Sequence, residues 1–143
     1  MTKLFIDTDV ILDFLTDRQP FSDNATYIFT LIDNQKVIGC TSSLTFSNLY
    51  YILRKYSSHK KVISKLEELS RFINILQVDD KIISSALSSD FKDFEDAIQY
   101  FTAQTSKKID LIITRNIRDY RDSELPVMTP ETFIKTLEQT TSS

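Results

Sequence analysis

Apolar positions change their spacing along this chain, and each change marks an element. Leu4, Phe5 and Ile6 form an unbroken apolar run of the length of a short buried strand. Asp7, Thr8 and Asp9 interrupt it, and Val10, Ile11, Phe14 and Leu15 then recur at helical spacing. A polar break from Asp17 to Pro20 precedes a second helical pattern through Ala25, Ile28, Phe29 and Ile32, entered at Ser22 or Asp23. Asp33 and Asn34 supply the turn after it. Val37 to Cys40 reads as a second strand, with Ser42 or Ser43 capping a helix from Leu44 to about Tyr56. Leu66, Leu69 and Phe72 continue a helical pattern, Ile73 to Val78 reads as a third strand, and Lys81 to Leu87 as a short helix. Phe94, Ala97, Ile98 and Phe101 mark the core face of a further helix. Ile109 to Thr114 is a fourth strand and Pro126 to Thr129 a short fifth. Thr129 then caps a last helix, with Pro130 at its first position and Phe133, Ile134 and Leu137 turned inward.

This alternation predicts an α/β fold: a parallel sheet of about five strands sandwiched between helices in three layers. Residues 1–138 form one domain, and 139–143 a polar tail with nothing to bury. Four polar clusters stand out. They follow the first strand, lie within the helix after the second, open the helix before the fourth, and follow the fourth. Ligands of open parallel sheets bind at the carboxyl edge of the strands. The four clusters can converge there if the first strand is central.

Composition narrows the function. The chain has 143 residues, of which 41% are apolar and 26% charged, an ordinary globular balance. No apolar run approaches the ~18 residues of a membrane span, and the run after Lys3 breaks at Asp7, unlike a signal peptide. The single cysteine, Cys40, excludes an internal disulfide and fits a reducing cytoplasm; its apolar setting makes it a buried thiol rather than a nucleophile. One histidine, His59, among Ser58, Lys60 and Lys61, can build neither a zinc site nor a serine triad. Gly39 is the only glycine, so no glycine-rich phosphate loop can be built. The net charge of −3 argues against nucleic-acid binding through overall electrostatics, but not against a local basic edge.

Several side chains have two readings. Asp7 and Asp9 either cap the following helix or, at a strand's carboxyl end, bind a cation. Leu44, Asn48 and Ile52 fall at intervals of four, so Asn48 shares an apolar face. It is either a buried, hydrogen-bonded amide or a side chain aimed at the acidic edge. Arg54, Lys55, Lys60, Lys61 and Lys65 form either a solvated face or the chain's best basic patch. Asp93 reads as an N-cap and Asp96 as a first-turn acid, yet four acids within the seven residues 90–96 exceed what one cap needs. If Asp7 and Asp96 meet, with Asp93 or Asp9 near, like-charge repulsion raises their pKa values unless a cation intervenes. Carboxylates without His or Cys suit Mg²⁺ or Mn²⁺, which can polarise a phosphoryl oxygen and activate water.

From Leu4 to about Leu137 the chain resembles the PIN domain family of nucleases. The resemblance is carried by Phe5-Ile6-Asp7-Thr8-Asp9-Val10-Ile11-Leu12-Asp13, Thr45-Phe46-Ser47-Asn48, Asp93-Phe94-Glu95-Asp96-Ala97 and Ile112-Ile113-Thr114-Arg115-Asn116, followed by Asp119-Tyr120. It implies a three-layer α/β/α fold, Mg²⁺ or Mn²⁺ dependence and cleavage of single-stranded RNA, often as the toxin of a toxin–antitoxin pair and often as a homodimer. It matches Asp7 to the first-strand metal ligand, Asp96 to the acid opening the helix before the fourth strand, and Asp9 to a supporting acid. Many members carry a glutamate where this chain has Asn48 and an aspartate where it has Asn116. The branch resembling this chain carries Asn at both, with Asp93 as an added acid and metal ligand. Two fewer charges imply weaker metal binding. The expected catalytic set is thus Asp7, Asn48, Asp96 and Asn116, with Thr114, Arg115, Lys60 and Lys61 on the substrate.

Three other readings compete. A PIN fold without catalysis, binding RNA or a protein partner, is motivated by Asn48 and Asn116. A haloacid-dehalogenase-type phosphatase also opens on a strand and Asp-x-Asp, with Asp7 attacking phosphate and Asp9 as acid–base. It needs a lysine before a late acidic pair, for which Asp119 and Asp122 are a poor substitute. A phosphoaspartyl receiver needs an acceptor ending the third strand, and Asp79-Asp80 lacks the later lysine.

Overall fold

The computed structural model describes residues 1–106 and 108–141, with side chains described through residue 139 and not at 107. Five strands form one parallel sheet: β1 (Lys3–Ile6), β2 (Ile38–Ser42), β3 (Asn74–Leu76), β4 (Leu111–Ile113) and β5 (Val127–Met128). Their order is β3-β2-β1-β4-β5. The chain therefore builds one side of β1, returns, and builds the other. The strand order reverses at β1, where open α/β sheets bind ligands. In register, Phe5 faces Cys40 on one side and Ile112 on the other.

Alternation along β1 explains the layers. Leu4 and Ile6 point to one face and Phe5 to the other, and all three are fully buried. On the first face, Val10 and Ile11 of α1 (Thr8–Thr16), Ile28 of α2 (Ser22–Asp33), Leu49 of α3 (Ser43–Leu53), Leu69 of α4 (His59–Phe72) and Phe133 of α7 (Pro130–Thr141) pack on Leu4 and Ile6. On the second, Tyr100 and Ala103 of α6 (Phe94–Thr105) pack on Phe5, Cys40 and Ile112. Ile82 and Ala86 of α5 (Asp80–Leu87) cover Ala97 and Ile98 of α6 from outside. The three-layer α/β/α architecture and the central first strand agree with the hydrophobic pattern. Cys40 is buried, and burial pushes its thiol up.

Several boundaries differ from the pattern. The third strand is three residues long rather than six, because β3 is an edge strand that pairs only with β2 and leaves Asn74 and Ile75 exposed. The second strand runs on to Ser42, whose hydroxyl accepts from the Thr45 N–H and so both ends β2 and caps α3. Phe94, expected inward, is 49% exposed, since it opens α6 directly after the cap while Ala97 and Ile98 face the core. The turn after α2 is made by Gln35 at φ 57°, one residue beyond Asn34. Its neighbour Lys36 donates to the Leu31 carbonyl, closing the helix as a glycine would. The last helix continues to Thr141, so part of the expected polar tail is helical, and Ser142 and Ser143 lie outside the described residues. Among the described residues no helix is long and apolar enough to cross a membrane.

Phe5 is the large side chain at the sheet's centre on the α6 face. Phe5→Ala is expected to cost about 3–5 kcal/mol of unfolding free energy, read by urea denaturation; a loss below about 1 kcal/mol would contradict this packing.

Candidate active site

The site begins where β1 ends. The Asp7 N–H donates to the Ile113 carbonyl at 2.9 Å, so the β1–β4 ladder carries Asp7 to the sheet's carboxyl edge. There it is also the N-cap of α1. Its carboxylate is 6% exposed and fully engaged: Oδ1 accepts from the Thr8 N–H at 2.8 Å, and Oδ2 from Thr114 Oγ1 at 2.9 Å and Tyr120 Oη at 3.1 Å. Burial pushes the Asp7 pKa up, and these hydrogen bonds pull it part of the way back. Tyr120, at the end of the short 3₁₀ turn Ile117–Tyr120, is itself buried beside Asp7 and Asp96. Its phenol is driven upward by burial and by those acids, so it stays a donor.

Asp9 lies one step along α1. Its Oδ2 accepts from the Arg115 backbone N–H at 3.1 Å, and more loosely from Asn116 Nδ2 and Thr114 Oγ1, both at 3.4 Å. Its Oδ1 is buried without a hydrogen-bond partner. Burial, then the charge of Asp7, push Asp9 up to about 7. The polar cluster after β4 thus knits the strand ends around Asp7 and Asp9.

The other side comes from α6. Asp93 caps it, its Oδ1 accepting from the Asp96 N–H at 3.0 Å. Asp96, half-buried, is pushed up to about 8 by burial and then by Asp7, Asp93, Asp119 and Glu95. Glu95 is raised by burial, Asp7 and Asp93, and held back by the amide of Asn48 across from it on α3. Asn48 Nδ2 itself is buried and makes no well-formed hydrogen bond. Behind them Gln99 is fully buried: its Nε2 donates to Thr45 Oγ1 at 2.7 Å and Thr8 Oγ1 at 3.4 Å, while its Oε1 accepts from Ser42. This network pins α6 and α3 to the end of β1.

A cavity of about 210 Å³ opens beside Asp96, lined by Asp93, Asp119 and Asp122 and by the cations Lys92, Arg118 and Arg121. Lys60 lines a different surface cavity with His59, Ile63 and Glu67, and the Lys61 N–H closes the cap of α4 on Ser58. Neither expected lysine lines the acidic cavity. Thr114 is fully buried and spends its hydroxyl on the acids, so its side chain is not presented at the surface. Arg115 is held by the buried Asp13, Nε to Oδ2 at 2.7 Å and Nη2 to Oδ1 at 3.3 Å.

The donor set is carboxylate oxygen throughout. Among the described residues no three acidic, histidine or cysteine side chains converge into a ready-made cage. Mg²⁺ needs none, because it keeps several waters and takes one or two carboxylates. The orphaned Asp9 Oδ1 and the raised pKa values of Asp7, Asp9 and Asp96 fit a hard cation that relieves their repulsion.

Sequence reasoning missed Glu95, Gln99 and the Asp13–Arg115 pair. Gln99 was signalled by standing three residues after Asp96 on the inward face of α6. Asp13 stands in the first motif, but its pairing had no signal, since the partner lies 102 residues away.

The raised acids give a signed pH prediction. In metal-free solution Asp9 and Asp96 keep their protons to about 7 and about 8 in the folded chain, against about 3.9 unfolded. Between those values the folded chain binds more protons, so stability falls as pH rises from about 4 and levels off above about 8. Asp96→Asn should flatten this decline and raise Tm at pH 8.5 by about 2–6 °C. A wild-type Tm that climbs from pH 5 to 8.5 without metal would contradict the assignment.

The profile of the PIN domain family matches residues 3–118. Ribonuclease VapC1 of Aquifex aeolicus (strain VF5) is 26% identical over 136 residues, covering 92% of each chain. In three dimensions the chain is similar to a VapBC structure from Salmonella typhimurium bound to DNA, with a TM-score of 0.68 at 17% identity over 91% of this chain and 99% of that one. It is also similar to a toxin–antitoxin complex from Klebsiella pneumoniae, with a TM-score of 0.65 at 22% identity over 89% and 97%. The order of acids along the chain, their meeting at the carboxyl edge of a central first strand, and a family match over most of the length agree: the chain belongs to the PIN domain family.

Proposed function

We propose that this protein is an endoribonuclease that hydrolyses phosphodiester bonds of single-stranded RNA with Mg²⁺ or Mn²⁺, and that it is the toxin of a toxin–antitoxin pair. The observation that carries the proposal is the gathering of Asp7, Asp9, Asp96 and Glu95 at one sheet edge, with Asp7 buried and Asp9 and Asp96 partly buried. The Aquifex relative named as a ribonuclease supports the reaction class, and the toxin–antitoxin complexes of like fold support the biological setting.

Asp7 and Asp96 would hold the cation, with Asp93 or Glu95 completing the acidic set. A divalent ion bound there supplies Lewis-acid polarisation of the phosphoryl oxygen and a water of lowered pKa. Thr114 and Tyr120 are positioning residues that fix the Asp7 carboxylate. Asp9 is the supporting acid, and Asn116 braces it. Glu95 stands opposite Asn48, so the carboxylate that many relatives carry on α3 reaches this site from α6 instead. Lys92, Arg118 and Arg121 hold the phosphates flanking the scissile one, in place of Lys60 and Lys61.

An antitoxin protein is the partner this reading requires, and a homodimer is its expected assembly. Exposed Tyr51 and Tyr56, beside a groove lined by Leu12, Ile52, Leu53 and Val62, leave apolar surface for protein contacts. The one observation favouring a non-catalytic module is the neutral pair Asn48 and Asn116.

Cleavage of a mixed-sequence single-stranded RNA with Mg²⁺ or Mn²⁺ separates the two. Wild type is expected to cut, Asp7→Asn and Asp96→Asn to lose at least about 100-fold in kcat, and Glu95→Gln to lose about 10-fold or more. No cleavage by folded wild type together with no metal binding by calorimetry would favour the binding module. Expression without a partner should arrest growth of the source organism, with Asp96→Asn relieving the arrest.

A further inference from the structure

We propose that the pocket between Phe21, Arg115 and the start of α7 receives one unpaired nucleobase of the RNA, beside the scissile phosphate. The inference deepens the nuclease reading and rests on it for the identity of the polymer.

Phe21 stands at the N-cap of α2 and is 39% exposed, an apolar ring left at the surface next to the acidic edge. The Arg115 guanidinium lies over its ring, Cζ 4.0 Å from the centroid. That guanidinium cannot swing away freely. Asp13, itself buried, ion-pairs with Nε at 2.7 Å without hydrogen-bond geometry and accepts from Nη2 at 3.3 Å, and Arg18 balances the same carboxylate at 3.8 Å. Ring and guanidinium therefore form a paired platform held on one side by Asp13. Planar groups of this kind are what unpaired bases stack on, and stacking tolerates any base because each has a π-face.

The rest of the pocket supplies an edge. It has a volume of about 260 Å³ and is lined beyond the platform by Asn24, Asn116, Thr129, Pro130 and Glu131. Two side-chain amides offer donors and acceptors together, which suits the mixed edge of a base. A bare phosphate is a poorer fit. The pocket's one cation, Arg115, is already neutralised by Asp13, and Glu131 adds a negative charge that is itself paired with Lys135.

The pocket adjoins the acids through shared residues. The Arg115 backbone N–H and Asn116 Nδ2 both donate to Asp9 Oδ2, at 3.1 Å and 3.4 Å. A base held on the platform therefore brings its own phosphate against the acidic edge. This gives Arg115, expected to grip a phosphate, a different use: it is committed to Asp13 through its polar rim and presents its face.

The test uses the full chain in metal-free buffer, titrated with AMP, GMP, CMP and UMP, with ribose 5-phosphate as the base-less control. The readout is the side-chain amide NMR resonances of Asn24 and Asn116. At least one monophosphate should shift both amides, and ribose 5-phosphate should not. Phe21→Leu should weaken that binding by about fivefold or more, while Phe21→Tyr and Phe21→Trp keep it. Asn24→Ala serves as a second variant, with thermal melts confirming that each folds. Amides unmoved by all four monophosphates, equal shifts with ribose 5-phosphate, or undiminished binding by folded Phe21→Leu would each overturn the pocket. If the nucleotides bind here but wild type with metal cuts no RNA, the nuclease reading fails and the pocket stands. If wild type cuts RNA while the amides stay still, the pocket fails and the nuclease reading stands.

Discussion

The burial of one carboxylate organises this molecule. Asp7 closes the central strand and opens the first helix, so both elements fix its backbone. A buried carboxylate is costly unless hydrogen-bonded. Three donors answer it, and they come from places far apart in the chain: Thr8 next door, Thr114 at the end of β4, and Tyr120 beyond it. The same contacts that make Asp7 tolerable hold the strand order in place around β1. The carboxylate cannot be repositioned without disturbing the sheet edge.

The remaining acids show the opposite balance. Asp96 and Asp9 lie close enough to Asp7 for their charges to oppose one another, and whereas both Asp7 oxygens accept hydrogen bonds, all three Asp9 donors reach Oδ2 and its Oδ1 has none among the described residues. Asp9 and Asp96 are both partly buried, and their contacts offset the cost of that burial only in part. Such a site is better matched by a hard cation than by neighbouring protein groups. The Gln99 network behind it makes its ties without charge: a neutral amide on α6 is bonded to Ser42 of β2, Thr45 of α3 and Thr8 of α1.

Much of this was legible in the sequence for a physical reason. A parallel sheet buried on both faces leaves near-continuous apolar runs, and an acid ending such a run can only lie at the sheet's edge. Leu4-Phe5-Ile6-Asp7 therefore announced the strand and placed Asp7 at its carboxyl end. Boundaries were less legible where pairing rather than composition sets them. Ile73 to Val78 is apolar enough for six residues of strand, but with β2 as its only neighbour three are paired. Periodicity placed Phe94 inward because it is aromatic, whereas the cap at Asp93 turns it out. Glu95 was overshadowed by the Asp93–Asp96 spacing, which an N-cap already explains. The Arg115–Asp13 clamp was invisible because no local rule connects residues at the two ends of the chain. Reading Arg115 as a phosphate contact followed from its charge; its geometry assigns that charge to Asp13.

The most direct test of the central claim, that desolvated acids at the β1 edge await a cation, is calorimetric titration of the wild-type protein with Mn²⁺ at pH 7 in two buffers of different ionisation enthalpy. With Asp9 at about 7 and Asp96 at about 8, metal uptake must displace protons. The account predicts release of about one proton per ion at pH 7, vanishing by about pH 9.5. Binding heats identical in the two buffers at pH 7, or no binding at all, would contradict it.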